Sequence, residues 1–258
     1  MLARLRKRIA DPSARRWLAA ALALAVLARL LGIRWGLPYT PNADEPHIVD
    51  LAVSFGAGTL KPYAFKYPTL WPYLLALLYG LYFLVWSVFG LRRSVADFAA
   101  RFAWRPGSFY LIGRLAASAA SLAGPLVLWG LEPEPPLAAL LLAFSPVVVV
   151  EAHSCKPDML MFLFSCAAWG FALRVLRRGE RRDYWLCGAL LGLASTSQFT
   201  ALPACAVLPL AALLRPGKKS PRFLAEGIAC GAAAFLAGSP YALIEPRFFL
   251  SWLGGTGA

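Results

Sequence analysis

The sequence contains little charge for its length. Of its 258 residues, 15% are charged and 59% are hydrophobic, and the mean hydropathy is +0.60. A water-soluble domain of this size carries more charge, because its core cannot hide so much apolar side chain. The composition therefore excludes a soluble protein and predicts one with many membrane segments.

Cysteine is present but forms no framework. Four of the five cysteines, Cys166, Cys187, Cys205 and Cys230, lie in apolar segments, where a free thiol behaves as a small hydrophobic group. The fifth, Cys155, lies in a polar connection. The sequence has no Cys-x-x-Cys pair and no Cys/His cluster of zinc spacing, so it predicts neither a disulfide scaffold nor a structural zinc site.

Acidic residues are half as common as basic ones, 13 against 26, which leaves a net charge of +13. In a soluble protein this excess would point to nucleic acid. Here the basic residues gather between apolar segments, a pattern typical of cytoplasmic loops and of contact with anionic lipid headgroups. We therefore expect membrane lipids, and no nucleic acid, among the partners.

Long apolar runs divide the chain. The first extends from Trp17 to about Leu37 after a basic N-terminus, residues 1–16, and is too long for a signal peptide. The others lie at about 70–90, 108–130, 137–150, 158–176, 184–214 (long enough for two short helices) and 223–244. The sequence thus predicts an all-α polytopic membrane bundle, a single module over 1–258 with about six to eight transmembrane helices and a cytoplasmic N-terminus.

The basic clusters decide between two topologies. If every earlier segment crosses once, the cluster Arg177–Arg182 falls outside, against the positive-inside tendency. If one segment does not cross, this cluster returns to the cytoplasm, and the polar stretch 151–158 reaches the same face as the loop after the first helix. We predict that 70–90 is the segment that does not cross, with the short 137–150 segment as the alternative. The choice leaves four arginines outside: Arg92, Arg93, Arg101 and Arg105.

Polar residues concentrate in two loops on that face. The first external loop, 38–69, carries the adjacent acids Asp44 and Glu45, and the second, 151–158, ends at Asp158. Carboxylates near lipid are costly, so they are candidate functional residues. Cations and histidines lie on the same predicted face: His47, Lys61, Lys66, His153 and Lys156.

Carboxylates beside cations suit a reaction between a lipid-anchored anion and a polar acceptor. A carboxylate can take a proton from an acceptor hydroxyl, and cations can hold a phosphate as negative charge grows on it. Asp44, Glu45 and Asp158 could also hold a divalent cation, although lysine and arginine neutralise a phosphate without one, so metal dependence stays open. Arg114 lies in an apolar run, where unpaired burial costs at least ~2.5 kcal/mol. We expect it to meet either the lipid phosphate or a structural carboxylate.

An ordered series of motifs resembles a known family. In the first loop the motifs are Gly36-Leu-Pro-Tyr39, Ala43-Asp-Glu-Pro-His-Ile-Val49, Gly58-Thr-Leu-Lys-Pro62 and Phe65-Lys-Tyr-Pro-Thr-Leu70. Further along they are Gly113-Arg-Leu-Ala-Ala-Ser118, Phe144-Ser-Pro146, Ala152-His-Ser-Cys-Lys-Pro-Asp-Met159, Gly192-Leu-Ala-Ser-Thr-Ser-Gln-Phe-Thr200 and Gly238-Ser-Pro-Tyr-Ala-Leu243. The series resembles the polyprenyl-phosphate-sugar-dependent glycosyltransferases of the GT-C superfamily, which are membrane enzymes related to protein O-mannosyltransferases and aminoarabinose lipid A transferases.

The resemblance implies a GT-C-like fold with catalytic external loops in a multi-pass protein, which we expect in a bacterial plasma membrane. It also implies inverting transfer of a sugar from a polyprenyl-phosphate donor to a lipid, glycan or protein acceptor. Asp44 matches the acid proposed as general base, and Glu45 is its companion. We expect substrate contacts at a further set of residues: His47, Lys66, Arg114, His153, Lys156 and Asp158. A divalent cation is the one cofactor left open.

Two features depart from the family pattern. Gln198 stands where relatives frequently have lysine, and the chain stops at Ala258, whereas such enzymes usually continue with more membrane helices. We therefore expect the chain to correspond to the N-terminal membrane module. Two other classes stay open: a non-catalytic lipid-binding or assembly protein, and a transporter, whose charges usually lie near the membrane midplane.

Overall fold

The structure, a computed structural model, describes residues 12–40, 42–90, 94–131, 137–217 and 219–255. Regular structure in these ranges is helical, so the predicted all-α class is confirmed. The α-helices are α1 (Pro12–Leu30), α2 (Asp44–Ser54), α3 (Leu70–Val88), α4 (Val95–Trp104), α5 (Gly107–Leu131), α6 (Leu137–Ala143), α7 (Pro146–Glu151), α8 (Asp158–Arg177), α9 (Arg181–Ser197), α10 (Val207–Leu214), α11 (Pro221–Gly238), α12 (Tyr241–Ile244) and α13 (Pro246–Leu253). Two 3₁₀ segments cover Phe55–Ala57 and Phe199–Ala206.

Several helices are long and apolar enough to cross a membrane. By length and composition these are Leu70–Val88, Gly107–Val127 and Asp158–Arg177, and shorter apolar helices cover Ala19–Leu30 and Phe199–Leu214. The predicted segment 137–150 is broken, because Pro146 has no N–H to donate and begins a new helix after a turn. The predicted segment 184–214 divides in two as expected, with the break at Gln198.

The first membrane helix is shorter than predicted. The apolar run continues to Leu37, but α1 ends at Leu30 and turns follow it. Gly32 and Gly36 adopt φ values of 80° and 76°, a left-handed conformation that glycine accepts readily and that interrupts a right-handed helix. The chain therefore leaves the bundle soon after Arg29 and turns toward α2.

Helices α5 and α8 run in the same direction. A Cβ atom on Gly113 would overlap the Cys155 side chain just before α8 begins, and one on Gly124 would lie 2.9 Å from Phe162, about one turn into α8. Because α5 and α8 are parallel, the chain between them must return along the bundle. Helices α6 and α7 make this return in two short pieces.

Glycines bring α9 and α11 into close contact. A Cβ atom on Gly188 would overlap the carbonyl oxygen of Gly227, and one on Gly192 would overlap that of Gly231. Small residues of this kind let the backbones of two membrane helices approach closely. The contact moves four residues along α9, from Gly188 to Gly192, as it moves four residues along α11, from Gly227 to Gly231. Helices α9 and α11 are therefore parallel, and α10 returns between them.

Helix α1 is antiparallel to α5. The buried Arg29 side chain donates to Ser121 Oγ at 2.6 Å and to Ala143 O at 2.9 Å, and the Ile33 and Trp35 carbonyls lie at Arg114. The chain therefore reaches one end of the bundle after α1 and starts α5 from the same end. We call this end the site face.

The position of α3 follows from that geometry. Leu75, in the first half of α3, lies near Gly113 in the first turns of α5, and the Tyr79 hydroxyl donates to Phe109 O at 3.2 Å, at the start of α5. If α3 crossed the membrane, another element would have to return before α5, and the 10 residues of α4 are half of what a crossing needs. This argument supports 70–90 as the segment that does not cross, which stays a prediction because its length alone would permit a crossing.

If α3 does not cross, the described chain can make seven passages between the two ends of the bundle, by α1, α5, α6 with α7, α8, α9, the Phe199–Leu214 segment and α11. Three described helices, one of them α3, are long and apolar enough to cross on their own, so the expected six to eight crossings stay a prediction. The end opposite the site face gathers basic residues: Arg177, Arg178, Arg181, Arg182, Arg215, Lys219 and Arg222. The positive-inside tendency would assign that end to the cytoplasm. Much of the basic N-terminus (1–11), with Arg92, Arg93 and Lys218, lies outside the described residues.

Candidate functional site

The acidic pair occupies the first turn of α2. The Asn42 side chain accepts a hydrogen bond from the Asp44 backbone N–H at 3.0 Å, and Asn42 O accepts one from Glu45 N at 3.2 Å. Asparagine stabilises a helix start in this way, and the positive end of the helix dipole favours two carboxylates there. Neighbouring residues on a helix point in different directions, so Asp44 and Glu45 reach different partners.

Glu45 is completely buried and forms a two-point ion pair. Its two carboxylate oxygens accept hydrogen bonds from Arg114 Nε at 2.9 Å and Arg114 Nη2 at 2.8 Å. The Cys155 backbone N–H also donates to Glu45 Oε1, at 2.6 Å. Paired, hydrogen-bonded geometry is what allows a carboxylate to be buried at low cost.

Arg114 joins four segments of the chain. Besides Glu45, it donates through Nη1 to Ile33 O and Trp35 O, each at 2.9 Å. The pair therefore links the end of α1, the start of α2, the first half of α5 and the loop at Cys155. Of the two partners expected for Arg114, this arrangement contains the structural carboxylate, and its guanidinium is engaged on three nitrogens.

Asp44 faces the opposite way, toward solvent. Its carboxylate lies 2.8 Å from Lys66 Nζ, and the two side chains are 37% and 49% exposed. The hydrogen bond from Lys66 lowers the pKa of Asp44, burial opposes this, and a hydrogen bond from Tyr67 lowers it further. The carboxylate is therefore ionised at neutral pH and open on one side.

The second loop meets the first at this point, as predicted. Lys156 Nζ lies 2.6 Å from Glu151 and 3.8 Å from Asp158. Burial alone would lower the pKa of Lys156, but the Glu151 hydrogen bond and the charges of Asp158 and Asp44 raise it overall. The positive charge of Lys156 in turn helps to lower the pKa of Asp44. Three acids (Asp44, Glu151 and Asp158) and two lysines (Lys66 and Lys156) therefore lie close enough to influence one another on the site face.

The two histidines are placed differently. The His47 ring packs edge-on against Tyr63, with centroids 5.8 Å apart, and burial lowers its pKa. Its Nε2 is buried without a hydrogen-bond partner in the described residues. Both ring nitrogens of His153 meet carbonyl oxygens, Val149 O at 2.7 Å and Leu31 O at 2.9 Å, so this ring connects α7 to the end of α1.

The three acids considered for a divalent cation do not converge. Glu45 is engaged by Arg114 and Cys155, Asp44 by Lys66, and Asp158 lies beside Lys156. Over the ranges the structure describes, no group of three His, Cys, Asp or Glu side chains is arranged to hold a metal ion. The residues present therefore do not fit the metal site that the sequence left open.

Buried hydroxyls fasten the first loop to the bundle. Thr69 donates to Gly238 O at 2.9 Å and through its backbone N–H to Ser239 Oγ at 3.2 Å, and Thr196 Oγ1 lies 2.6 Å from the same Ser239 oxygen. These residues belong to three of the motifs quoted above. Their common position shows why the motifs occur together, since they hold the first loop over the ends of α9 and α11.

Two cavities open on the site face. A polar cavity of about 510 Å³ lies beside the Glu45–Arg114 pair and is also lined by Trp35, Asn42 and His153. An apolar cavity of about 890 Å³ lies at the other end of α2, between α3 and α4. Its size is within the range of small-molecule sites. The site therefore has a polar and an apolar compartment, with α2 between them.

Sequence reasoning missed several contributors. Tyr67 and Glu151 support Asp44 and Lys156, and no spacing rule marks either of them. Asn42 could have been found, because an asparagine just before a helical pattern is a start signal. The Cys155 backbone N–H could not, since any residue type would supply it.

Comparison with known proteins gives one family. Residues 132–243 match the family described as dolichyl-phosphate-mannose-protein mannosyltransferase. No curated protein matches the chain, and no solved structure does. The match covers less than half of the chain, and includes the second loop and Ser239 but neither Asp44 nor Arg114. It confirms the resemblance for this part and indicates a GT-C glycosyltransferase-like membrane module.

Proposed function

We propose that the protein transfers a sugar from a polyprenyl-phosphate donor to a hydroxyl acceptor on the site face. The observation that carries this proposal is the open, ionised Asp44 carboxylate beside Lys66 and Lys156. A base and two cations at one membrane face are what a lipid-phosphate donor and a polar acceptor need. The family match to residues 132–243 supports the same class of donor.

In the proposed reaction Asp44 is the general base. It takes the proton from the acceptor hydroxyl as that oxygen bonds to the anomeric carbon of the sugar. The bond from this carbon to the phosphate oxygen breaks, and its electron pair stays on the phosphate. Attack opposite the leaving group inverts the anomeric configuration. Lys66 and Lys156 lie where they would neutralise the departing phosphate.

Glu45 and Arg114 act in this proposal as positioning residues. Their buried pair fixes the first turn of α2 against α5 and the Cys155 loop, which holds Asp44 in place beside Lys66. We assign contacts with sugar or acceptor to a further set of residues on the site face: His47, His153 and Asp158. Remote supports of this kind matter, because small misplacements of a base reduce its efficiency.

The membrane orientation follows from charge. With the basic end of the bundle in the cytoplasm, the site face lies outside, as expected for a lipid-linked donor displayed at a bacterial plasma membrane. The N-terminus would then be cytoplasmic. The acceptor class stays a choice among lipid, glycan and protein.

Purified protein in lipid nanodiscs would test the function. We expect radiolabelled sugar to move from a polyprenyl-phosphate sugar to an acceptor in a membrane extract, with inverted configuration in the product. Donors that differ in the sugar would be screened first. Transfer from a nucleotide sugar alone would contradict the proposal.

A lipid-binding protein without transferase activity is the second candidate, and the apolar cavity of about 890 Å³ favours it. Retention of polyprenyl phosphate by the purified protein, together with no turnover of any donor, would support this candidate against the first.

A further inference from the structure

We propose that Lys66 is a switch on the base: it holds Asp44 before the donor binds and moves to the donor phosphate when the donor binds. The arrival of phosphate thereby releases the carboxylate that must accept a proton. The inference rests on the function proposed above, and concerns when the base becomes active.

Lys66 is the freer of the two lysines. It pairs with one carboxylate at 2.8 Å, and its side chain is 49% exposed. Lys156 lies between Glu151 and Asp158, with a side chain that is 16% exposed. A phosphate that enters between them can attract Lys66 at little cost, whereas Lys156 already has two acidic partners.

The backbone around Lys66 is held in place, so the movement belongs to the side chain. Phe65 is buried and packs against Phe248 and Phe249 of α13, with ring centroids 5.6 Å and 5.2 Å away. On the other side of Lys66, the buried Thr69 side chain donates to Gly238 O at 2.9 Å. The loop is therefore anchored on both sides of a flexible lysine.

The exchange of partners follows the charge that develops in the reaction. The donor phosphate is a diester with one negative charge, and it becomes a doubly charged monoester once its bond to the sugar breaks. Over the same period Asp44 accepts a proton and loses its negative charge. The attraction of Lys66 for the phosphate grows as its attraction for Asp44 disappears, so one lysine stabilises both changes.

The switch predicts that kcat/KM and kcat lose activity at different pH values on the acid side of their pH profiles. We call these two falling sides the acid limbs. The kcat/KM profile for the donor reports the site before donor binding, where Lys66 lowers the pKa of Asp44. The kcat profile reports the occupied site, where Lys66 has left. Since the carboxylate is the active form, activity is lost as pH falls through its pKa. The kcat limb should therefore lie at higher pH than the kcat/KM limb.

Three variants test this. Lys66→Gln should move the acid limb of kcat/KM to higher pH and so narrow the gap between the two limbs. It should also reduce kcat by roughly 10- to 100-fold, because one charge-assisted hydrogen bond to the phosphate is lost. Lys66→Arg should keep the gap. Lys61→Gln is the matched control. Lys61 lies on the same loop but pairs with Glu245 at 2.7 Å and not with Asp44, so this variant should behave as the wild type.

Carboxyl labelling gives a readout without turnover. A water-soluble carbodiimide with an amine label, read by mass spectrometry at Asp44, should modify wild-type protein more when geranylgeranyl phosphate is added in detergent. Lys66→Gln protein should be modified strongly with or without this lipid. A lipid that lowers labelling in both proteins would show shielding and would overturn the switch.

The two proposals fail separately. If wild-type protein transfers no sugar from any lipid phosphate, the proposed function fails. The labelling of Asp44 then still shows whether Lys66 leaves this carboxylate when a lipid phosphate binds. If transfer occurs and Lys66→Gln keeps the wild-type gap between the limbs, the switch is wrong and the function stands.

Discussion

Asp44 and Glu45 are adjacent in sequence, yet the regions around them are built in opposite ways. The buried Glu45 and Arg114 side chains tie four segments of chain together by hydrogen bonds of 2.6 to 2.9 Å. Around Asp44 the partners are half-exposed side chains that can exchange. The comparison shows that two neighbouring acids in one helical turn can have different roles: the buried Glu45 fixes the turn in place, and the more open Asp44 remains able to react.

Replacing Asp44 by Asn should give the largest effect. The amide keeps the shape but cannot accept the proton, so we expect turnover to fall by roughly 10²–10⁴-fold. The free energy of unfolding should change by about 0.5 kcal/mol or less, as for other exposed positions. Turnover with a labelled lipid-phosphate sugar and thermal unfolding in detergent measure the two quantities.

Asp50→Asn on the same helix is the control, because its exposed carboxyl lies outside the proposed machinery, and it should retain activity. Near-normal turnover of Asp44→Asn protein would remove the base assignment and leave its pair with Lys66 as a loop contact.

Breaking the buried pair should have a mainly structural effect. Arg114→Met leaves Glu45 buried without its partner, and we expect the free energy of unfolding to fall by about 3–5 kcal/mol. The double variant Glu45→Met/Arg114→Met removes both charges and should recover part of this loss. Denaturant unfolding of the wild type and the two variants measures the loss and its partial recovery; adding Glu45→Met completes the cycle that gives the coupling energy.

A double variant as unstable as Arg114→Met alone would contradict this account of the pair. If instead the single variant is stable but binds polyprenyl phosphate poorly, Arg114 serves the lipid phosphate, the other partner considered for it.

Crowding between α9 and α11 should give the smallest effect, and one that is independent of the acids. Gly188→Ala places a Cβ against the Gly227 carbonyl oxygen, and we expect a destabilisation of about 1–3 kcal/mol. Gly80→Ala on α3 is the control, because a Cβ there meets nothing within 4 Å and should stabilise by about 0.5–1 kcal/mol. Thermal unfolding measures both. Equal changes at both positions would contradict close packing at Gly188.

Hydropathy predicted what depends on local composition. The long apolar helices α5 and α8 lie where the sequence placed them, and the positive-inside argument brought Lys156 to the face of Asp44. The predicted end of α1 was wrong. The apolar pattern continues to Leu37, but the left-handed conformation of Gly32 interrupts the helix before that point. The break at Pro146 carried a readable signal that hydropathy alone ignores.

The partners within the site were harder to predict. Glu45 and Arg114 are 69 residues apart, and their contact depends on the direction in which the first turn of α2 faces after the whole bundle has packed. Composition shows that a buried arginine needs a partner, but it cannot choose between a carboxylate of the chain and one phosphate of a lipid. Such choices are made by tertiary structure.

The bond between Thr69 and Ser239 also has a consequence for biosynthesis. These residues are 170 positions apart, and ribosomes add roughly 5–20 residues per second, so the second partner emerges roughly 8 to 34 s after the first. Until α11 has been made, the end of the first loop lacks its hydrogen bonds to Gly238 and Ser239. Nascent chains that stop before Ser239 would therefore expose an unfinished loop on the site face, and quality control could recognise them by protease cleavage between Gly58 and Thr69.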